Sequence, residues 1–228
     1  MSKRNIILEI TQRLERAPNK PATQRVRDIL GLIGTYKQLG IDVLKEDADA
    51  QSHELYNYVP VVIYANVEDY FRTTIADLID NQSECQPRAK GLANIRFDIE
   101  DILAISGKSV SAGQFIAHSI RLNNLDDISS AMGTLLGNDF WHVLQRACAY
   151  NQREGTSFDL TQGDFHYETM KAAIDARHII CHERATSWTT TGTQCFDWII
   201  EAIVLIGNTE TILTSLLVGG EMEKEILG

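Results

Sequence analysis

An arginine and a histidine five positions apart, Arg177 and His182, have the chemistry to act on a phosphate ester. A guanidinium binds phosphate through paired hydrogen bonds and keeps its charge, whereas an imidazole exchanges protons near neutral pH. RNA carries its own nucleophile, the 2′-hydroxyl. His182 can therefore move a proton to or from the reacting oxygens while Arg177 stabilises the charge that builds on phosphorus. The pair predicts phosphodiester cleavage that needs no metal and no cofactor.

The helix predicted to carry this pair separates its two members on the helical wheel. Arg177 falls on the apolar stripe with Met170 and Ile174, whereas His178 and His182 share a neighbouring polar stripe. Five positions leave the arginine and the last histidine roughly 140° apart around a straight helix. They can still serve one site if the long arginine curls round, if the helix distorts, or if a two-fold dimer joins two copies of the motif.

A second long helix, predicted from Pro60 to about Asp80, has an acidic residue on its apolar face. Glu68 shares that stripe with apolar residues spaced three or four apart, namely Tyr64, Phe71, Ile75 and Leu78. Burial of an unpaired carboxylate is costly, so the stripe predicts a cationic or hydrogen-bonding partner, for which Arg177 is the obvious choice. The alternative is that Glu68 lies at the edge of the stripe and reaches water.

These two helices together resemble the HEPN superfamily over roughly residues 55–218. The matching features are the Arg177-to-His182 motif, with polar His178 after the arginine, and an upstream helix of the form Tyr64-x-x-x-Glu68-x-x-Phe71. The resemblance implies that Arg177 and His182 are catalytic, that His178 is the polar position supporting them, and that Glu68 orients the arginine.

The resemblance also implies an activity and a partner. Many HEPN members are metal-independent ribonucleases of toxin-antitoxin or phage-defence systems that act as homodimers, while others have lost catalysis. We therefore expect cleavage of single-stranded or looped RNA in a dimer groove, leaving a 2′,3′-cyclic phosphate, with an antitoxin or another protein as a further partner. Arg184 stands where one toxin subgroup has a modified tyrosine, so that form of regulation is not expected. Arg184, with Arg88 and Lys90, is assigned to substrate binding.

The predicted fold class is all-α, an antiparallel helical bundle of HEPN type with additional N-terminal helices. Residues 1–50 form an N-terminal helical layer packed on the core and residues 51–228 form the HEPN-like domain, the whole being one compact domain. Further helices are predicted over 97–105, from Ser111, over 140–150, over 163–184 and over 193–218, with loops at 81–94 and 151–157.

Composition limits the classes of partner and compartment. The net charge of −10 excludes a broad basic surface, so a nucleic-acid site must be a local basic pocket. Four separate cysteines and the lack of a signal-peptide pattern favour reduced thiols in the cytoplasm. The most apolar stretch, Trp198 to Ile206, is too short to span a bilayer and is interpreted as a buried core helix, so no membrane association is expected.

Two other interpretations remain open. His178 and His182, four positions apart, could bind a metal with Glu183, Cys181, His166 or Cys195 nearby, although the spacing fixes no third ligand. The more serious alternative is a non-catalytic interaction or sensor domain, in which Arg177 and Glu68 form a structural pair and the acidic surface binds a protein.

Overall fold

A computed structural model describes residues 55–92, 110–154, 164–182 and 188–228, together with Ile10, Gln12, Arg27, Ile29, Leu30, Gly31, Ile99 and Ser106. The regular elements within these residues are all helical, which confirms the predicted all-α class. Most of the predicted N-terminal layer at 1–50 and the predicted helix at 97–105 lie outside the described residues.

The described helices are numbered in chain order. They are α1 (Tyr58–Asn81), α2 (Cys85–Arg88) followed by a 3₁₀ turn (Ala89–Gly91), α3 (Ala112–Ser119), α4 (Leu125–Leu136), α5 (Phe140–Glu154), α6 (Tyr167–His182), α7 (Gly192–Val218) and α8 (Gly220–Leu227).

Helix starts follow the capping residues of the sequence. Ser111 caps α3 in a reciprocal capping box with Gln114, and Asn124 caps α4 by accepting a hydrogen bond from the backbone of Asp127. Thr191 caps α7 in the same way as Ser111, again with a glutamine three residues on. The predicted beginnings of α3 and α7 are therefore confirmed to within two residues.

Four segments differ from the prediction. The helix predicted over 163–184 begins only at Tyr167. The predicted loop at 81–94 contains α2 and the 3₁₀ turn, because Arg88 ties this segment to α4 by donating to the carbonyl oxygens of Leu135 and Leu136. The predicted loop at 151–157 begins at least four residues too early, since α5 continues to Glu154. Gly219 ends α7 as expected with a positive φ of 68°, but α8 follows at once.

The chain divides into two compact units. The first comprises Met1–Lys20 and Glu68–Trp141, and the second comprises Pro21–Val67 and His142–Gly228. The division falls within α1 and within α5. The motif and its surroundings on α6 belong entirely to the second unit.

Aromatic side chains form the centre of the first unit. Phe71 of α1 and Phe140 of α5 are fully buried and meet edge to face, with ring centroids 5.9 Å apart. Apolar residues from α3 and α4 complete this core, including Phe115, Leu125, Ile128, Met132 and Leu135. The stripe predicted on α1 is thus confirmed as a buried face over this part of the helix.

The N-terminus of α3 is fixed to α1 by one carboxylate. Asp80 accepts a hydrogen bond from the Gly113 backbone N–H at 2.9 Å and another from the Ser111 hydroxyl. A Cβ on Gly113 would lie 2.7 Å from the Asp80 carboxylate and would also press against the backbone oxygen of Ala76. The lack of a side chain at Gly113 is what allows this close approach.

Replacement of Gly113 tests this contact, because helix propensity and packing predict opposite signs. Alanine usually stabilises a helix interior by about 1 kcal/mol relative to glycine. For Gly113→Ala we expect instead a loss of about 1–3 kcal/mol in the free energy of unfolding, from overpacking against α1. Urea unfolding measures this. Gly31→Ala is the control, since Gly31 is an exposed helical glycine with open space around its Cβ position. Equal effects of the two variants would contradict the prediction.

The second unit is built on α7, which packs against α6 and α8. The stretch predicted as a core helix is buried within α7, which confirms that interpretation. By length and composition α7 could also cross a membrane, and 61% of its most apolar window is buried inside the structure. Its buried Asn208 accepts a hydrogen bond from Asn151 at 2.7 Å and donates to the Val204 carbonyl, so this polar group is satisfied within the unit.

Candidate functional site

The Arg177-to-His182 motif occupies the last turn and a half of α6, where the helix leaves the core. The buried face of α6 consists of Met170, Ala173, Ile174 and Ala176. No residue of α6 beyond Ala176 is buried, and the two isoleucines of the motif are half-exposed. The motif therefore lies at the surface of its unit but remains continuous with a helix that the core holds in place.

Arg177 is held by an aromatic ring. Its guanidinium carbon lies 4.8 Å from the centroid of the Tyr64 ring, a cation–π contact with a side chain that is only 2% exposed. Arg177 itself is half-buried, in agreement with its predicted position on the apolar stripe. Within the described part of the chain it has no carboxylate at ion-pair distance, so its charge is not neutralised there.

His178 and His182 follow the arginine in sequence and lie on the exposed face of α6. Their rings are one helical turn apart, with centroids 4.9 Å from each other and planes tilted by 48°. Both side chains are exposed, which confirms the predicted polar stripe. Neither ring has a hydrogen-bond or ion-pair partner among the described residues. An imidazole in this setting is free to meet a ligand from solvent.

Glu68 has the cationic partner that its position requires, but a different one from the sequence prediction. Arg72, one turn later on α1, donates to a single Glu68 oxygen from Nε at 2.9 Å and from Nη2 at 2.8 Å. Arg72 also donates to the Ala117 carbonyl and, at 3.3 Å, to that of Ile120, which satisfies the end of α3. The sequence favours Arg177 as the partner of Glu68, whereas in the structure the partner is Arg72.

The local i, i+4 spacing explains this outcome. Glu68 and Arg72 are neighbours on the surface of one helix, so their pairing requires no long-range fit. The Glu68 side chain is 29% exposed, and that of Arg72 is 13% exposed because the carbonyls of α3 surround it. The pair links α1 to α3 within the first unit. The predicted role of Glu68 in orienting Arg177 receives no support from these contacts.

The beginning of α6 is anchored by a buried carboxylate of α7. Glu201, whose side chain is 8% exposed, accepts a hydrogen bond from the His166 backbone N–H at 2.9 Å and lies 2.7 Å from Nδ1 of the same residue. The backbone oxygen of His166 in turn accepts the first hydrogen bonds of α6. This contact fixes the register of α6 on α7 and so the position of the motif. His166 is thus engaged at the opposite end of α6 from His178 and His182.

The chain that enters α7 is fixed to the beginning of α1. Asn57 donates to the Trp188 carbonyl at 3.3 Å and accepts a hydrogen bond from the Thr190 hydroxyl at 2.8 Å. The Trp188 indole N–H donates to that same hydroxyl at 3.0 Å. α1, which carries Tyr64, is thereby tied to the element that supports α6. Trp188 serves as an anchor within its unit.

The residues predicted to extend the basic groove differ in their positions and contacts. Arg88 caps the C-terminal end of α4 through two carbonyl hydrogen bonds of 3.1 and 2.8 Å, so its guanidinium has a structural role. Lys90 is exposed on the 3₁₀ turn. Both residues belong to the first unit and the motif belongs to the second. Arg184 lies outside the described residues.

The cysteines differ in their capacity for chemistry. Cys85, Cys148 and Cys195 are buried, and burial raises the pKa of Cys148 to about 11 and that of Cys195 to about 12. These thiols stay protonated at neutral pH and are poor nucleophiles or ligands. Cys181, inside the motif, is exposed. Among the described residues no group of three or more His, Cys, Asp or Glu side chains is arranged to hold a metal ion.

Tyr64 is the residue whose role sequence reasoning missed. It is recognised as part of the apolar stripe of α1, but a contact with Arg177 is not predicted from that position. A usable signal exists, because an arginine on an apolar stripe requires either a carboxylate or an aromatic face. Tyr64 offers an aromatic face and Glu68 offers a carboxylate, and the sequence alone favours the carboxylate as the partner of Arg177.

Comparisons with protein-family models, with curated proteins and with solved structures find no match to this chain. The HEPN resemblance therefore stays a prediction that rests on the motif of α6 and the stripe of α1.

Proposed function

We propose that the protein is a metal-independent endoribonuclease of HEPN type, in which Arg177 and His182 of two subunits line a homodimer groove. The observation that carries this proposal is the state of Arg177, which is half-buried and held on the Tyr64 ring at 4.8 Å without a carboxylate partner in the described part of the chain. Such a cation can accept a phosphate, because no opposite charge must first be displaced.

The reaction would be an internal transesterification of RNA. The 2′-oxygen attacks the adjacent phosphorus, its proton passes to a base, and the 5′-oxygen leaves with a proton from an acid, giving a 2′,3′-cyclic phosphate. An imidazole can fill either role, so in a dimer one copy of His182 accepts the first proton and the other copy donates the second. Arg177 stabilises the extra negative charge on the phosphoryl oxygens.

Exposure of the motif supports a dimer groove in place of a closed pocket. Ile179 and Ile180 lie between the arginine and the final histidine and are half-exposed, so they leave apolar surface beside the site. A two-fold partner that covered this surface would bring a second arginine and histidine close to the first pair. The arginine of one copy could then meet the histidine of the other, although the two lie roughly 140° apart around each helix. Substrate would then be single-stranded or looped RNA, whose phosphate can enter between the copies.

The net charge of −10 favours a second function, that of a non-catalytic interaction or sensor domain. In that case Arg177 stabilises the fold by its contact with Tyr64, and the acidic surface binds a protein partner. The two functions make different predictions for the arginine, because a structural contact affects stability while a phosphate contact affects cleavage.

Replacement of Arg177 distinguishes these functions. Wild-type protein in chelator is expected to cleave a mixed pool of single-stranded RNA, and Arg177→Ala is expected to lower the rate by about 10²–10³-fold, the size found when one donor to a developing oxyanion is removed. Lys171→Ala is the matched control, since it removes the same charge from the exposed face of α6, where Lys171 pairs with Asp175. Equal losses in both variants, or no cleavage by folded wild-type protein, would favour the interaction domain.

A further inference from the structure

The two exposed histidines of α6 have the spacing of a metal chelate. His178 and His182 are four positions apart, which places them on one face of the helix, and their ring centroids are 4.9 Å from each other. Two imidazoles bound to one ion at a Zn–N distance of about 2.0–2.1 Å have ring centroids about 5 Å apart when the ion is tetrahedral. The observed separation already matches that value.

Neither ring must give up another contact in order to bind an ion. In the described part of the chain, His178 and His182 have no hydrogen-bond or ion-pair partner, and both are exposed. The nearest acidic residue of the same stripe, Asp175, is paired with Lys171 at 2.6 Å. The χ2 torsion of histidine has a broad energy minimum, so the two exposed rings can turn their nitrogens toward a common point at little cost in energy.

We propose that His178 and His182 form a two-histidine site for a divalent transition ion, with Zn²⁺ as the ion tested. Imidazole is a preferred ligand of Zn²⁺, and two histidines one turn apart on a helix are a known way to supply two of its ligands. The remaining positions are filled by water or by a further ligand from solution. Cys181 is exposed in the same turn but is not required by the proposal.

The site has a consequence for regulation, which rests on the proposed ribonuclease function. His182 would be both a metal ligand and the group that moves a proton in RNA cleavage. An imidazole nitrogen bound to Zn²⁺ cannot accept or donate a proton, so occupancy of the site switches the reaction off. The chain would then be an enzyme that works without metal and is inhibited by Zn²⁺, with activity restored by a chelator.

Calorimetric titration of the full-length protein with Zn²⁺ tests the site without reference to activity. In a buffer with a non-chelating phosphine reductant, we expect saturable binding of one ion per chain that is lost in His178→Ala. His142→Ala should bind like wild type, because His142 is also an exposed helical histidine but has no histidine four positions away. The assignment of the two ligands would be overturned if His178→Ala still bound Zn²⁺. It would also be overturned if the single variant Cys181→Ser lost Zn²⁺ binding.

A second measurement separates this proposal from the proposed function. For each variant that cleaves RNA, the rate with Zn²⁺ is divided by the rate of the same variant in chelator. This ratio should be one tenth or less in wild type and in His142→Ala, and it should be close to one in His178→Ala. If folded wild type cleaves no RNA in chelator, the ribonuclease proposal and its regulation fail, while calorimetry still decides the metal site.

Discussion

His182→Ala is expected to lower the rate of RNA cleavage in chelator by about 10²–10⁴-fold, the usual contribution of a positioned acid or base. The physical reason is that alanine cannot transfer a proton, and among the described residues of the motif only His178 offers another imidazole. His182 is exposed at the last residue of α6, so its removal should leave the core of the second unit unchanged. Single-turnover cleavage of a short labelled RNA measures the effect on the chemical step.

Two controls make this result specific. Thermal unfolding should show that His182→Ala changes the free energy of unfolding by no more than about 0.5 kcal/mol, as an ordinary surface substitution does. His142→Ala, at an exposed histidine of α5, should cleave at the wild-type rate. If His182→Ala retains full activity with native folding, the proton transfer is not carried out by this residue and the catalytic assignment is refuted.

Phe71→Ala is expected to produce the largest loss of stability, about 3–5 kcal/mol in the free energy of unfolding. Phe71 is fully buried on α1 and meets the rings of Tyr70 and Phe140 edge to face at 5.1 and 5.9 Å. Truncation to alanine removes these contacts and leaves a cavity that the surrounding helices cannot fill. Chemical denaturation followed by circular dichroism at 222 nm measures the change.

Tyr58→Ala is the matched control for this variant. Tyr58 is also an aromatic residue of α1, but it is 63% exposed at the first residue of the helix. Its replacement should change the free energy of unfolding by no more than about 0.5 kcal/mol. A comparable loss in both variants would mean that aromatic residues stabilise α1 itself, in contradiction to a burial effect centred on Phe71.

Capping by nearby side chains determines where several of the helices begin. The capping residues at Ser111, Asn124 and Thr191 fix where α3, α4 and α7 begin, because each side-chain oxygen satisfies a backbone N–H only a few residues away. Helix ends that depend on distant partners are harder to predict from the sequence. α5 continues through Asn151 because that side chain reaches Asn208 and Thr211 of α7, a contact that no local pattern reveals.

The candidate site shows the same division. From the sequence alone, Arg177 falls on an apolar stripe and His178 and His182 fall on a polar one, since the helical period fixes these faces whatever packs against them. The partners were decided by tertiary structure. Glu68 binds Arg72 within its own helix, and the cation of Arg177 rests on the Tyr64 ring.

The amino-acid sequence by itself therefore determined the all-helical class, the helix faces and the chemical types available at the end of α6. Only the tertiary structure decided which groups are already engaged, namely Arg88 as a cap of α4 and Glu201 as the anchor of α6. The physical reason is the distance along the chain over which each interaction acts. Helical period and capping act over three or four residues, whereas a guanidinium or carboxylate chooses among all partners that folding brings within a few ångströms.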